Sequence, residues 1–128
     1  MLVLVAGGCG LPDDHAFERM AEETATTVAH DVGGHLAGIS PGHYGTAGVS
    51  YLTAELERHD ATVFGTHSEN APEIGRLQAW VDARFDFPRV APEDRRPPVC
   101  LRFEVRWVHQ GDYVTFGKIN CPVQSPGG

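Results

Sequence analysis

Two alternating runs close the chain and constrain the fold more than any other stretch. Cys100 to His109 reads Cys-Leu-Arg-Phe-Glu-Val-Arg-Trp-Val-His, Gln110-Gly111 follows, and Asp112 to Cys121 reads Asp-Tyr-Val-Thr-Phe-Gly-Lys-Ile-Asn-Cys. Apolar residues at every second position on both sides of a short polar turn describe a β-hairpin. With the turn at Gln110-Gly111, His109 faces Asp112, Trp107 faces Val114, Val105 faces Phe116, and Cys100 falls opposite Cys121. That pair is a non-hydrogen-bonded one, with Cα atoms about 4.5 Å apart, inside the span of a disulfide. A three-residue turn, His109-Gln110-Gly111 with Gly111 in a bulge, would instead set Cys100 against Asn120. The two-residue turn is the preferred register.

The alternation also sorts the faces. Leu101, Phe103, Val105 and Trp107 point one way with Val114 and Phe116. Arg102, Glu104 and Arg106 point the other way, opposite Ile119, Gly117 and Thr115. One face is core and one is mostly wet, as in an antiparallel sheet that packs on one side.

Upstream, Leu77, Ala79, Val81, Ala83, Phe85 and Phe87 alternate with Arg76, Gln78, Trp80, Asp82, Arg84 and Asp86, which predicts a long half-buried strand. Ala61 to His67 is β-branched and aromatic enough to be another. Before them, Phe17, Met20, Ala21, Thr24, Val28 and Val32 recur at helical spacing, after a cap at Asp13 or Asp14. Met20 is expected in the core, and Gly33-Gly34 is expected to stop this helix. Residues 33–48 read as a glycine-rich connector. A shorter helix from about Ala47 to Arg58 carries Val49, Leu52 and Leu56 inward, with Glu55 and Glu57 outward. Residues 88–98 are rich in proline and charge and read as an exposed loop. Two helices followed by four strands predict an α+β fold, with both helices packed on one face of a four-stranded antiparallel meander.

A chain of 128 residues suits one domain, and the expected division is 11–121 for that domain and 122–128 for a disordered tail. The net charge is −7, with residues 13–73 at −9 and residues 76–118 at +2. An acidic chain of this kind has no electrostatic footprint for nucleic acid. Nine of the ten basic residues are arginine, and Lys118 is the only lysine, a bias that fits a GC-rich genome.

Residues 1–10 run Met-Leu-Val-Leu-Val-Ala-Gly-Gly-Cys-Gly. An apolar run ending in small residues before Cys9 resembles the end of a bacterial lipoprotein signal peptide. It departs from that pattern at Ala6, where leucine is usual, and in lacking a basic start. Its apolar run is also shorter than the 7–15 residues such signals carry. The competing reading is a short buried strand over Leu2 to Ala6. The three cysteines then divide into one lipidation candidate, Cys9, and one disulfide pair, Cys100 and Cys121. Ala6-Gly7-Gly8-Cys9, Cys100 and Cys121-Pro122, on this architecture, resemble small uncharacterised lipoproteins of GC-rich bacteria. The resemblance implies an extracytoplasmic domain, anchored to the cell membrane by a lipid. It implies no activity. A cytosolic protein with free Cys100 and Cys121 is the contrary reading.

Chemistry is sparse. No His-Glu-x-x-His or Cys-x-x-Cys occurs. His30, Asp31, His35 and His43 are weak metal candidates with no zinc spacing, and they support only an alternative, a metal-dependent hydrolase using the histidines of residues 30–43. No cofactor is implied. Trp80 is the residue out of place, an aromatic on the charged side of its strand. Arg84, Arg102 and Arg106 share that side, and together the four predict a binding surface. Trp80 packed beneath a loop or terminus is the plainer reading. The leading expectation is a non-enzymatic binding or adaptor module at the cell envelope, with a protein or an acidic polymer as partner.

Overall fold

A computed structural model describes residues 16–69, 73–86, 98–108 and 113–122. The signal-like start, the Asp13 and Asp14 cap, most of the proline-rich loop, the turn around Gln110-Gly111 and the tail beyond Pro122 lie outside these residues. Within them the chain is α+β. Helices α1 (Ala16–Leu36) and α2 (Tyr44–Arg58) precede strands β1 (Thr62–Ser68), β2 (Leu77–Phe85), β3 (Val99–Arg106) and β4 (Val114–Ile119). The strands form one antiparallel sheet in the order β1-β2-β3-β4. Both helices pack against its inner face.

The core is built from the predicted periodicities. Ala21, Ala25, Val28, Val32 and Leu36 face inward from α1, and Leu52 and Leu56 from α2. They meet Ala79, Val81, Ala83, Leu101, Phe103, Val105 and Val114 of the sheet. The α1 stripe is rotated from its expected phase, so Met20 is 48% exposed and is not core filler.

Gly33-Gly34 does not stop α1. The helix runs on to Leu36, because Val32 and Leu36 anchor its last turns in the core. The expected connector shrinks accordingly to residues 37–43, which include a single 3-10 turn at Pro41–His43. Its later glycines are helical and lie where α2 crosses the sheet. A Cβ on Gly45 would fall 2.3 Å from the Glu69 carbonyl oxygen and 2.8 Å from that of Gln78. One on Gly48 would fall 3.0 Å from a Val105 methyl. Glycine at Gly45 lets helix and sheet approach more closely than any side chain would allow, and a Cβ at Gly48 would oblige the Val105 side chain to give way slightly.

Glu55 was expected outside and is only 7% exposed. It turns inward with Leu56 and is held by Arg58 on the same helix. The helix ends in a Schellman turn: Ala61 N–H donates to the Leu56 carbonyl at 3.0 Å and Asp60 N–H to that of Glu57 at 3.1 Å. Asp60 takes the left-handed position, φ 65°.

The last hairpin pairs, but in neither expected register. Val105 faces Val114, Phe103 faces Phe116, and Cys100 faces Ile119. The connection is longer than two residues. Arg106 N–H donates to the Tyr113 carbonyl at 2.9 Å, while the Trp107 carbonyl accepts from Gly75 N–H at 2.7 Å. Trp107 is thus bonded to the β1–β2 turn. The slip is two residues, so every side chain keeps its face. The disulfide between Cys100 and Cys121 is present, with Cα atoms 5.2 Å apart, made diagonally to a residue just past the end of β4.

Candidate functional site

Among the described residues no helix covers the outer face of the sheet. Three rows of side chains cross it. His67, Trp80, Glu104 and Thr115 form one row. Gly65, Asp82, Arg102 and Gly117 form the next. Thr62, Arg84, Cys100 and Ile119 form the third.

Two of these rows lock together at Trp80. The Arg102 guanidinium lies 4.0 Å from the indole centroid. It is fixed there by two parallel bonds to Asp82, from Nε to Oδ1 at 2.7 Å and from Nη2 to Oδ2 at 2.9 Å. The bonds to Asp82 raise the guanidinium's already high pKa, against a smaller opposing effect of burial. Asp82 itself is 6% exposed. It is roofed on the β1 side by Gly65, where a Cβ would come within 3.5 Å of Asp82 Oδ2 and 3.4 Å of the Trp80 ring. Gly65 reaches that position because β1 bulges between Val63 and Gly65.

On the other side of Trp80, the His67 ring stacks at 5.8 Å between centroids. His67 Nε2 lies 3.1 Å from Glu69 Oε2. Arg76 in turn donates to Glu69 at 3.3 Å and to Glu73 at 3.0 Å. The bond to His67 is the largest influence holding the Glu69 carboxyl below the usual range, with Arg76 adding to it. A continuous chain of contacts therefore runs from the β1–β2 turn through His67 and Trp80 to Arg102 and Asp82. This face is half-buried and ordered by its own partners, not an open brush of charges.

Of the expected binding residues, Trp80 and Arg102 touch. Arg84 lies one row away and donates to Asp86 at 3.0 Å. Arg106 donates to Glu104 at 2.8 Å and sits beyond the β2 irregularity between Leu77 and Ala79. All three arginines thus have carboxylate partners. Sequence reasoning did not single out His67 or Asp82. The bulge hides His67, because it breaks the alternation that would have placed it beside Trp80. Asp82 looked like one more wet-face charge. A shallow hollow of about 230 Å³ adjoins Arg102 at Gly117, bounded by Glu104, Thr115 and Ile119.

The histidine cluster does not assemble. His35 stacks on Tyr51 at 4.9 Å, His43 precedes α2 without a side-chain capping bond, and His30 is exposed beside a groove between α1 and β4. Among the described residues no three His, Cys, Asp or Glu side chains are placed to hold a metal ion. No helix among them is long and apolar enough to cross a membrane. Cys9 lies outside the described residues. Comparison with known proteins finds no match, whether to a family model, a curated protein or a solved structure, so the chain's own geometry carries the functional reading.

Proposed function

We propose that the protein is a non-enzymatic binding module at the outer face of the cell membrane, tethered through a lipid on Cys9, with the outer sheet face as its working surface. The tether rests on Ala6-Gly7-Gly8-Cys9, and the oxidising compartment fits the Cys100–Cys121 disulfide. The observation that carries the binding reading is Trp80, clamped between Arg102 and His67 on the uncovered side of the sheet. A rigid aromatic with a fixed arginine is the kind of anchor that dominates protein interfaces, because little entropy is lost on docking. Of the two partner classes, a protein fits better than an acidic polymer. Arg84, Arg102 and Arg106 are each matched by a carboxylate, so the face offers no surplus positive charge.

Photo-crosslinking in the native cell tests the surface. A crosslinking residue at Thr62, exposed on the outer face, should give a discrete adduct, and one at Glu57, exposed on α2, should not. Trp80→Ala should remove the Thr62 adduct while leaving the circular dichroism and unfolding midpoint nearly unchanged. Equal adducts from both positions, or an adduct indifferent to Trp80, would sink the proposal. Unfolding of the Trp80→Ala protein would reassign Trp80 to packing.

A further inference from the structure

Among the described residues strand β4 ends the sheet, and its outer side opens onto a groove of about 640 Å³ beside α1. The bond from Arg106 N–H to the Tyr113 carbonyl sets the phase of the β3–β4 ladder. In that phase Thr115, Gly117 and Ile119 exchange backbone bonds with β3, and Val114, Phe116 and Lys118 turn their N–H and C=O groups outward. Val114 and Phe116 line the groove. The other edge is no equivalent template, because β1 is broken by its bulge whereas β4 pairs without interruption.

The opposite wall is the helix surface Ala29, Gly33, Gly34 and Ala37. Glycine inside a helix costs about 1 kcal/mol relative to alanine. Gly45 and Gly48 have a packing reason for that cost. Gly33 and Gly34 have none among the described residues, since a Cβ on either meets nothing of them within 4 Å. The room they leave lies between helix and strand edge, where the side chains of an added strand would sit. The rim is acidic: Glu22 and Glu23, both exposed, lie four and three residues before Thr26 of the groove wall, against one base, Arg19, a turn earlier. Glu18 pairs with Lys118 at the far end of β4.

We propose that this groove takes an extended, basic segment of a partner protein, added to β4 as a fifth strand, with small apolar side chains alternating beneath α1. A row of outward N–H and C=O groups matches an extended backbone and little else, and β-addition draws its affinity from those bonds. The acidic rim selects lysine or arginine in the segment. This site is separate from the outer face and does not depend on it.

Panning displayed random heptapeptides against the full-length protein tests the proposal. Enriched peptides should carry an apolar residue at every second position and a net positive charge. Their binding should protect the Val114 and Phe116 amides from hydrogen exchange. It should weaken at least ~10-fold with Gly33→Leu, which fills the groove while improving helix propensity, so that a folding defect does not explain the loss. Lys118→Pro, which removes an N–H outside the ladder, should weaken it as well, and Trp80→Ala should leave it unchanged. No enriched peptide, or binding indifferent to Gly33→Leu, would overturn the proposal. So would a dimer of the protein itself that Lys118→Pro dissociates, since the occupant would then be a second copy.

Discussion

At the scale of single residues, glycine has two opposite roles here. Gly45 lets α2 sit against the sheet, and Gly33 leaves space open. Gly45→Ala drives a methyl group into two backbone carbonyls that have no freedom to move aside. The expected loss is about 2 kcal/mol or more, read as a lower urea midpoint at unchanged slope. Gly33→Ala should instead gain roughly 0.5–1 kcal/mol in the same measurement. Tyr44 gives a prediction of another kind. Burial pushes its hydroxyl above the usual tyrosine value of 10.0, and Tyr113, whose ring meets it edge-on at 5.8 Å, adds to the rise. A folded-state pKa above the unfolded one gives a contribution that is whole below the unfolded value and disappears as pH rises through the folded one. Stability should therefore decline in the alkaline range above about pH 10, and Tyr44→Phe should flatten that decline. An unfolding series against pH, run on both proteins, checks it.

At the scale of elements, the disulfide should matter more than any single ladder bond. Cys100 and Cys121 enclose a loop of sequence separation 21, and closing a loop of that size in the unfolded chain is worth about 3 kcal/mol. Replacing both cysteines with serine should lower the unfolding free energy by roughly 2–4 kcal/mol; an unchanged midpoint would contradict this. The elements themselves were largely legible in the sequence, because periods of two and of three to four residues report directly on burial. Val81, Phe103, Val28 and Leu52 are buried as that logic requires. Register was less legible. The hairpin differs from the preferred register by two residues, and Trp107 bonds to a distant turn, a tertiary contact that no local pattern encodes. The Gly33-Gly34 boundary failed for a related reason, since Val32 and Leu36, buried on either side of it, outweigh two weak helix formers. Of the outer surface, Trp80 announced itself by being out of phase. Its neighbours His67 and Asp82 did not, because a bulge and a buried ion pair leave no periodic trace.

At the scale of the whole molecule, the layout is two helices on one side of a sheet and an ordered, charge-neutral surface on the other. The tether proposal is checked by intact mass of natively expressed protein, with and without reductant and alkylating agent. Cleavage before Cys9 with added acyl mass, and two thiols that alkylate only after reduction, is the expected result. An unprocessed start with three free thiols would contradict it. A chain so anchored would also be a chain that can be pulled, and here the disulfide decides where the load goes. Tension entering from the C-terminal tail passes from Cys121 straight to Cys100 at the start of β3. Strand β4, which a pull on a meander would otherwise unzip first, lies inside the covalent loop and bears none of it. Some ~70 Å of contour length stays hidden in single-molecule stretching and is released only after the bond is reduced.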